Sequence, residues 1–156
     1  MRKIKYIVLH CSATKEGVPF GIEDIDRWHR QRGFRKVGYH YVILLDGTIR
    51  KGRDIAQVGA HVQGSNANSI GICYIGGLDA DGKPKDTRTE EQKASLFFLL
   101  QQLREQFPDA MICGHRDFSP DLNGDGIIEP WEWMKACPCF DLSLIHISEP
   151  TRRSYI

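Results

Sequence analysis

Three side chains able to hold a divalent metal stand far apart in this sequence: His10, His115 and Cys137. Imidazole and thiolate suit zinc, and a catalytic zinc takes three protein ligands while leaving a fourth position open. The local settings favour these residues. His10 ends a predicted strand, His115 directly follows another, and Cys137 sits in a proline-containing loop after a predicted short helix. Strand ends hold side chains rigidly, as a reaction centre requires. Spacing alone does not select this triple, because six histidines and five cysteines offer many others. His10 as a satisfied core histidine and Cys137 as a buried thiol are the plain alternatives. Cys139 competes with Cys137 in the same Cys-Pro-Cys run.

A second metal pattern spans 121–132. Asp121, Asn123 and Asp125 fall at positions 1, 3 and 5 of a calcium loop, Gly126 at 6, Ile127 at 7 and Glu132 at 12. Calcium needs this density of oxygen ligands, and the glycine permits the sharp turn. The entering helix is missing, since Ser119-Pro120 precedes the loop. The expectation is a half EF-hand holding a structural calcium between His115 and Cys137, against a solvated Asp/Asn turn.

The elements that must position these residues follow from periodicity. Lys3 to His10, Tyr39 to Leu45, Thr48 to Lys51, Ser69 to Ile75 and Met111 to Gly114 read as strands, with Asp46-Gly47 as a hairpin turn. Ile22, Ile25 and Trp28 or His29 recur at helical spacing, with Gly33 as a C-terminal cap. Thr89 and Gln92 form a capping box that opens a helix to about Phe107. A short helix is expected around Trp131 to Lys135, and Asp79 to Thr87 reads as a polar loop. The order β-α-β-β-β-α-β predicts an α/β (mixed α+β) fold, a central mixed sheet flanked by helices. Cys11, Cys73 and Cys113 read as small buried hydrophobes, and His29 and His40 as structural.

Composition narrows the function classes. The chain has 156 residues, 41% of them apolar, which fits one globular domain. A formal charge of +1 with mixed signs gives no basic face, so nucleic acid is not an expected partner. No apolar run approaches the roughly 20 residues that span a bilayer. The N-terminus, MRKIKYIVLH, lacks an apolar h-region and reads as a strand, so cytoplasmic synthesis without a signal peptide is expected. An odd number of cysteines, five, favours thiol or metal chemistry over a disulfide framework. Residues 142–152, LSLIHISEPTR, match the in-frame translation of a transposon-type sequencing-library adapter. The native frame is therefore expected to end near Asp141, with 142–156 a non-native tail and 1–141 the domain.

Five separated blocks carry a resemblance: VLHCSAT (8–14), VGYHYVI (37–43), NSIGICYIGG (68–77), GHRD (114–117) and KACPCFD (135–141). In this order they resemble the type 2 N-acetylmuramoyl-L-alanine amidases, most closely the phage lysozymes of the T7 type. The resemblance implies the fold of the peptidoglycan recognition proteins. It also implies zinc on His10, His115 and Cys137, with Tyr39 and Lys135 as catalytic residues, and it ranks Cys137 ahead of Cys139. His61, Asn66 and Asn68 are implied to line the substrate groove. The implied reaction is hydrolysis of the amide between the muramyl lactyl group and L-alanine of peptidoglycan. Tyr39 would orient the attacking water and Lys135 would stabilise the tetrahedral oxyanion. Lys135 and Cys137 are two apart, which puts them on one face of an extended segment. The proton shuttle stays open among Tyr39, Lys135 and a nearby histidine.

Three roles share this resemblance. A phage or prophage endolysin, acting on the wall after release and working as a monomer, is the first. A cytosolic amidase recycling anhydromuropeptides is the second, although that branch usually carries Asp at the position of Cys137. A non-catalytic recognition module is the third, and the intact ligands and Tyr39 oppose it. Relatives of the T7 type also bind an RNA polymerase, but no such surface is visible in this sequence. The calcium loop departs from the T7-type pattern, which is shorter there.

Overall fold

The computed structural model describes residues 2–119 and 136–142. The calcium-loop pattern (121–132), Lys135, the short helix expected around it and the tail from 143 onward lie outside the described residues.

A five-stranded sheet forms the centre, in the order β4-β3-β5-β1-β7. Its strands are β1 (Tyr6–Cys11), β3 (Tyr41–Ile43), β4 (Ile49–Lys51), β5 (Ser69–Tyr74) and β7 (Met111–Gly114). β1 runs parallel to β5 on one side and to β7 on the other, while β3 and β4 form an antiparallel hairpin. Two short strands, β2 (Thr14–Lys15) and β6 (Gly77–Leu78), pair in parallel beside the main sheet. The predicted strands are all present: β3, β4 and β5 are shorter than expected, β7 has the expected bounds, and β1 starts later but runs one residue further, to Cys11. The β2–β6 pair is additional, and β6 with the Leu78–Pro84 bridge gives order next to the stretch expected as plain loop.

The hydrophobic pattern explains the layering. β5 is buried along its whole length, as parallel strands covered on both faces are. On one face Ile7, Leu9, Cys11, Ile70, Ile72 and Tyr74 meet Leu96, Leu99, Leu100 and Leu103 of helix α2 (Glu90–Gln106). On the other, Val42, Cys73 and Ile75 meet Ile25 of helix α1 (Ile22–Gln31), with Trp28 and Tyr39 packed alongside. Each fully buried Leu or Ile contributes about 1.5–3 kcal/mol. The α2 capping box forms as expected, with Thr89 Oγ1 accepting from Gln92 N at 3.0 Å. Beyond α1, Gly33 takes the left-handed conformation (φ 96°) that ends the helix. Among the described residues, no helix is long and apolar enough to cross a membrane.

The segment 136–142 crosses the carboxyl edge of the sheet and returns to the α2 side. Phe140 and Leu142 both lie in the α2-side core, at 4% and 1% exposure. Leu142, the first residue of the adapter-like string, is thus part of this core.

Candidate metal centre

Strand alternation decides which residues reach the site. Along β1, Ile7, Leu9 and Cys11 face α2, which turns Val8 and His10 to the α1 side. His10 is 1% exposed and lies near the carboxyl end of β1. Next to it in the sheet, β7 ends at Gly114 and a single 3-10 turn, His115–Phe118, follows directly. The His10 and His115 rings stand 4.7 Å apart by centroid. Cys137 comes in from the crossing segment. The ligand atoms of His10, His115 and Cys137 all lie within 4.8 Å of one another.

Several contacts hold Cys137. Arg116 N donates to Cys137 O at 2.9 Å. The Cys11 backbone N–H donates to Cys137 Sγ at 3.1 Å, an arrangement suited to an anionic sulfur. The Cys11 thiol is pushed up to about 12, first by its hydrogen bond with Cys137, so it stays neutral. Further along, Tyr74 donates its hydroxyl proton to Pro138 O, and Arg116 Nη2 donates to Phe140 O at 2.8 Å. The Arg88 guanidinium sits 3.5 Å from the Phe140 ring centroid, and Asp86 holds that guanidinium through two bonds of 2.8 and 2.9 Å. Cys139 points elsewhere: its Sγ lies 3.7 Å from Cys11 Sγ.

Tyr39 stands on the approach to β3, with its ring 5.0 Å from His10 and 5.3 Å from His29. Burial raises its hydroxyl well above the usual value, and that hydroxyl shares a hydrogen bond with the Cys73 thiol. Tyr39 is therefore a neutral donor at physiological pH. Its backbone is braced by Arg53, which is 7% exposed. Arg53 N donates to Tyr39 O at 3.0 Å, Nε to Val37 O at 2.9 Å and Nη1 to Val58 O at 2.9 Å. His29 is held neutral by burial and accepts from Gly38 N at 2.8 Å. His40 is lowered to about 4 by burial, and its Nδ1 accepts from Gly71 N at 3.0 Å. Both histidines are structural, as expected, and Cys11, Cys73 and Cys113 are buried.

The residues expected along the groove turn inward. His61 is 9% exposed; one ring nitrogen lies 2.9 Å from His10 Nε2 and the other 3.1 Å from Ser69 Oγ. With both nitrogens committed inside the protein, His61 has none to offer a groove. Asn66 Oδ1 accepts from the backbone N–H groups of His61 and Val62 at 2.9 and 2.8 Å, which fixes the loop. Asn68 Oδ1 is shielded from solvent without a hydrogen-bond partner among the described residues. The residues bracing the site that sequence reasoning missed are Ser69, Arg53, Tyr74 and Arg116. The basic and polar character of these positions gave no local signal, because their partners lie 5 to 64 residues away and are mostly backbone oxygens.

This donor set fits zinc. It offers two imidazoles and one thiol in reach of one point, half-enclosed at a sheet edge, with a donor aimed at the sulfur.

A family model described as N-acetylmuramoyl-L-alanine amidase matches residues 1–139. The endolysin of Escherichia phage T7 is 40% identical over 136 residues, covering 87% of this chain and 81% of that protein. Among solved structures, the N-acetylmuramoyl-L-alanine amidase LysC from Clostridium intestinale superposes with a TM-score of 0.72 at 27% identity, over 92% of this chain and 83% of that one. Drosophila PGRP-LB superposes at 0.67 with 21% identity, over 88% and 76%, a likeness of fold alone. The chain belongs to the N-acetylmuramoyl-L-alanine amidase family.

Proposed function

We propose that this member of the N-acetylmuramoyl-L-alanine amidase family is a zinc-dependent endolysin. It hydrolyses the amide between the lactyl group of N-acetylmuramic acid and L-alanine in peptidoglycan, reaching the cell wall after release. The observation that carries this reading is the convergence of His10, His115 and Cys137 within 4.8 Å, from three separate elements. Phage endolysins among its relatives, with matching coverage of both chains, support the lytic role.

Zinc held by His10, His115 and Cys137 would supply Lewis acidity for the scissile carbonyl and for water. The rest of the chemistry belongs to the chain. Tyr39, neutral and 5.0 Å from the His10 ring, donates a hydrogen bond where the attacking oxygen and the carbonyl meet. Arg53 keeps that tyrosine in register by tying its backbone to Val37 and Val58. Lys135, outside the described residues, is assigned the oxyanion by the family motif KACPC, in which it stands two residues before Cys137.

Digestion of purified peptidoglycan tests the reaction. Mass analysis is expected to find stem peptides bearing a free N-terminal alanine and glycan strands with intact lactyl groups, both abolished by a zinc chelator. Products cleaved within the glycan or within the stem peptide would overturn the assignment.

A further inference from the structure

His61 bridges inward from the metal centre. Its Nδ1 lies 2.9 Å from His10 Nε2, and its Nε2 lies 3.1 Å from Ser69 Oγ; both contacts are buried. The ring is closely held. Asn66 fixes the His61 backbone at 2.9 Å. A Cβ at Gly71 would come within 2.6 Å of His61 Cγ, so the absence of a side chain there makes room for the imidazole. The His40 ring lies 5.8 Å away on a further side, with its own Nδ1 engaged by Gly71 N.

We propose that Ser69, His61 and His10 form a hydrogen-bond relay in which His61 and Ser69 are positioning residues for the metal ligand His10. The proposal rests on the zinc reading given above. A neutral imidazole carries one N–H, so the line of bonds allows two arrangements. In the first, His10 Nε2–H donates to His61 Nδ1, and His61 Nε2–H donates to Ser69 Oγ. His10 Nδ1 then carries no proton and can serve as a metal donor. In the second, every donor is reversed, and His10 carries its proton on Nδ1, where no metal can bind. A hydroxyl both donates and accepts, so Ser69 Oγ completes the line in either arrangement; a metal on His10 Nδ1 selects the first, in which Ser69 Oγ accepts the His61 Nε2–H. Metal-binding histidines are commonly fixed in this way by a partner on the other ring nitrogen, and losing that partner costs about 10–100-fold in metal affinity. Here the partner is a second histidine, itself set by a hydroxyl.

The test is zinc affinity by competition with a chromophoric chelator, beside thermal unfolding of the zinc-free proteins. His61→Leu is expected to weaken zinc binding about 10–100-fold. Ser69→Ala, which touches neither metal nor ligand, is expected to weaken it by a smaller factor in the same direction. His61→Asn keeps an acceptor near the Nδ1 position and is expected to recover most of the affinity. If His61→Leu does not fold, the comparison of Ser69→Ala with the wild type carries the test alone. Wild-type zinc binding matched by folded His61→Leu or Ser69→Ala would overturn the relay and leave the zinc reading standing. A wild type that binds no zinc would remove both.

Discussion

His10 lies on β1 and His115 directly follows the adjacent parallel strand β7, whereas Cys137 arrives on an irregular segment that crosses the sheet edge. The two sides of the candidate metal centre are thus held by different physics. The histidine side is fixed by the β1–β7 ladder and by buried strand residues packed on both faces. The cysteine side depends on a few directed contacts: Tyr74 to Pro138, Arg116 to Cys137 and Phe140, and the Arg88 ring contact with Phe140. A ladder spreads its stability over many bonds, while a crossing segment concentrates it in few. Damage to the segment should therefore cost metal binding more than folding, and damage to the sheet side should do the reverse.

The largest effect is expected from Phe140→Ala. It empties a core position that is 4% exposed and releases the crossing segment, at about 3 kcal/mol of stability. Zinc affinity measured on protein that is still folded should fall further than this loss explains. Unchanged affinity would mean that the segment holds Cys137 without its anchor.

On the sheet side, the pH dependence of the metal-free protein is the sharper probe. His40 titrates at about 4 in the folded chain against 6.5 when unfolded, because burial disfavours its charge. The unfolded chain therefore takes up the proton first. Stability is complete above pH 6.5, falls as pH drops towards about 4, and is flat with respect to this group below that. The loss is about 3–4 kcal/mol at most. Denaturant midpoints should show this slope, and His40→Asn should flatten part of it; an identical slope in the variant would assign it to the other buried histidines, His61 and His29.

Tyr74→Phe removes one hydroxyl and leaves Pro138 O buried without that donor. It should cost about 1–2 kcal/mol, with a loss of zinc affinity that the sheet-side variants do not share. Thr89→Ala supplies the contrast. It removes the cap of α2 for about 1 kcal/mol and should leave zinc affinity unaltered, as titration of the folded protein would show.

The same difference explains what could be read from the sequence. His10 and His115 sit at ends of runs whose strand character is local, so their placement follows from β-branched and apolar patterning. Cys137 could be matched to them only through the family blocks, because nothing within the segment 136–142 encodes where it docks. His61 lies in a polar stretch that resembles a groove lining. Its inward turn depends on Gly71, ten residues on, and on Asn66 closing the loop. The β2–β6 pair was equally invisible, since strands of two residues carry no periodicity.

The most direct test of the central claim is the zinc content of the purified wild-type chain beside Cys137→Ser and Cys139→Ser. The account predicts about one zinc per chain in the wild type and in Cys139→Ser, and a loss of zinc in Cys137→Ser. Zinc retained in Cys137→Ser but lost in Cys139→Ser would contradict the ligand set, and a metal-free wild type would contradict the metal centre itself.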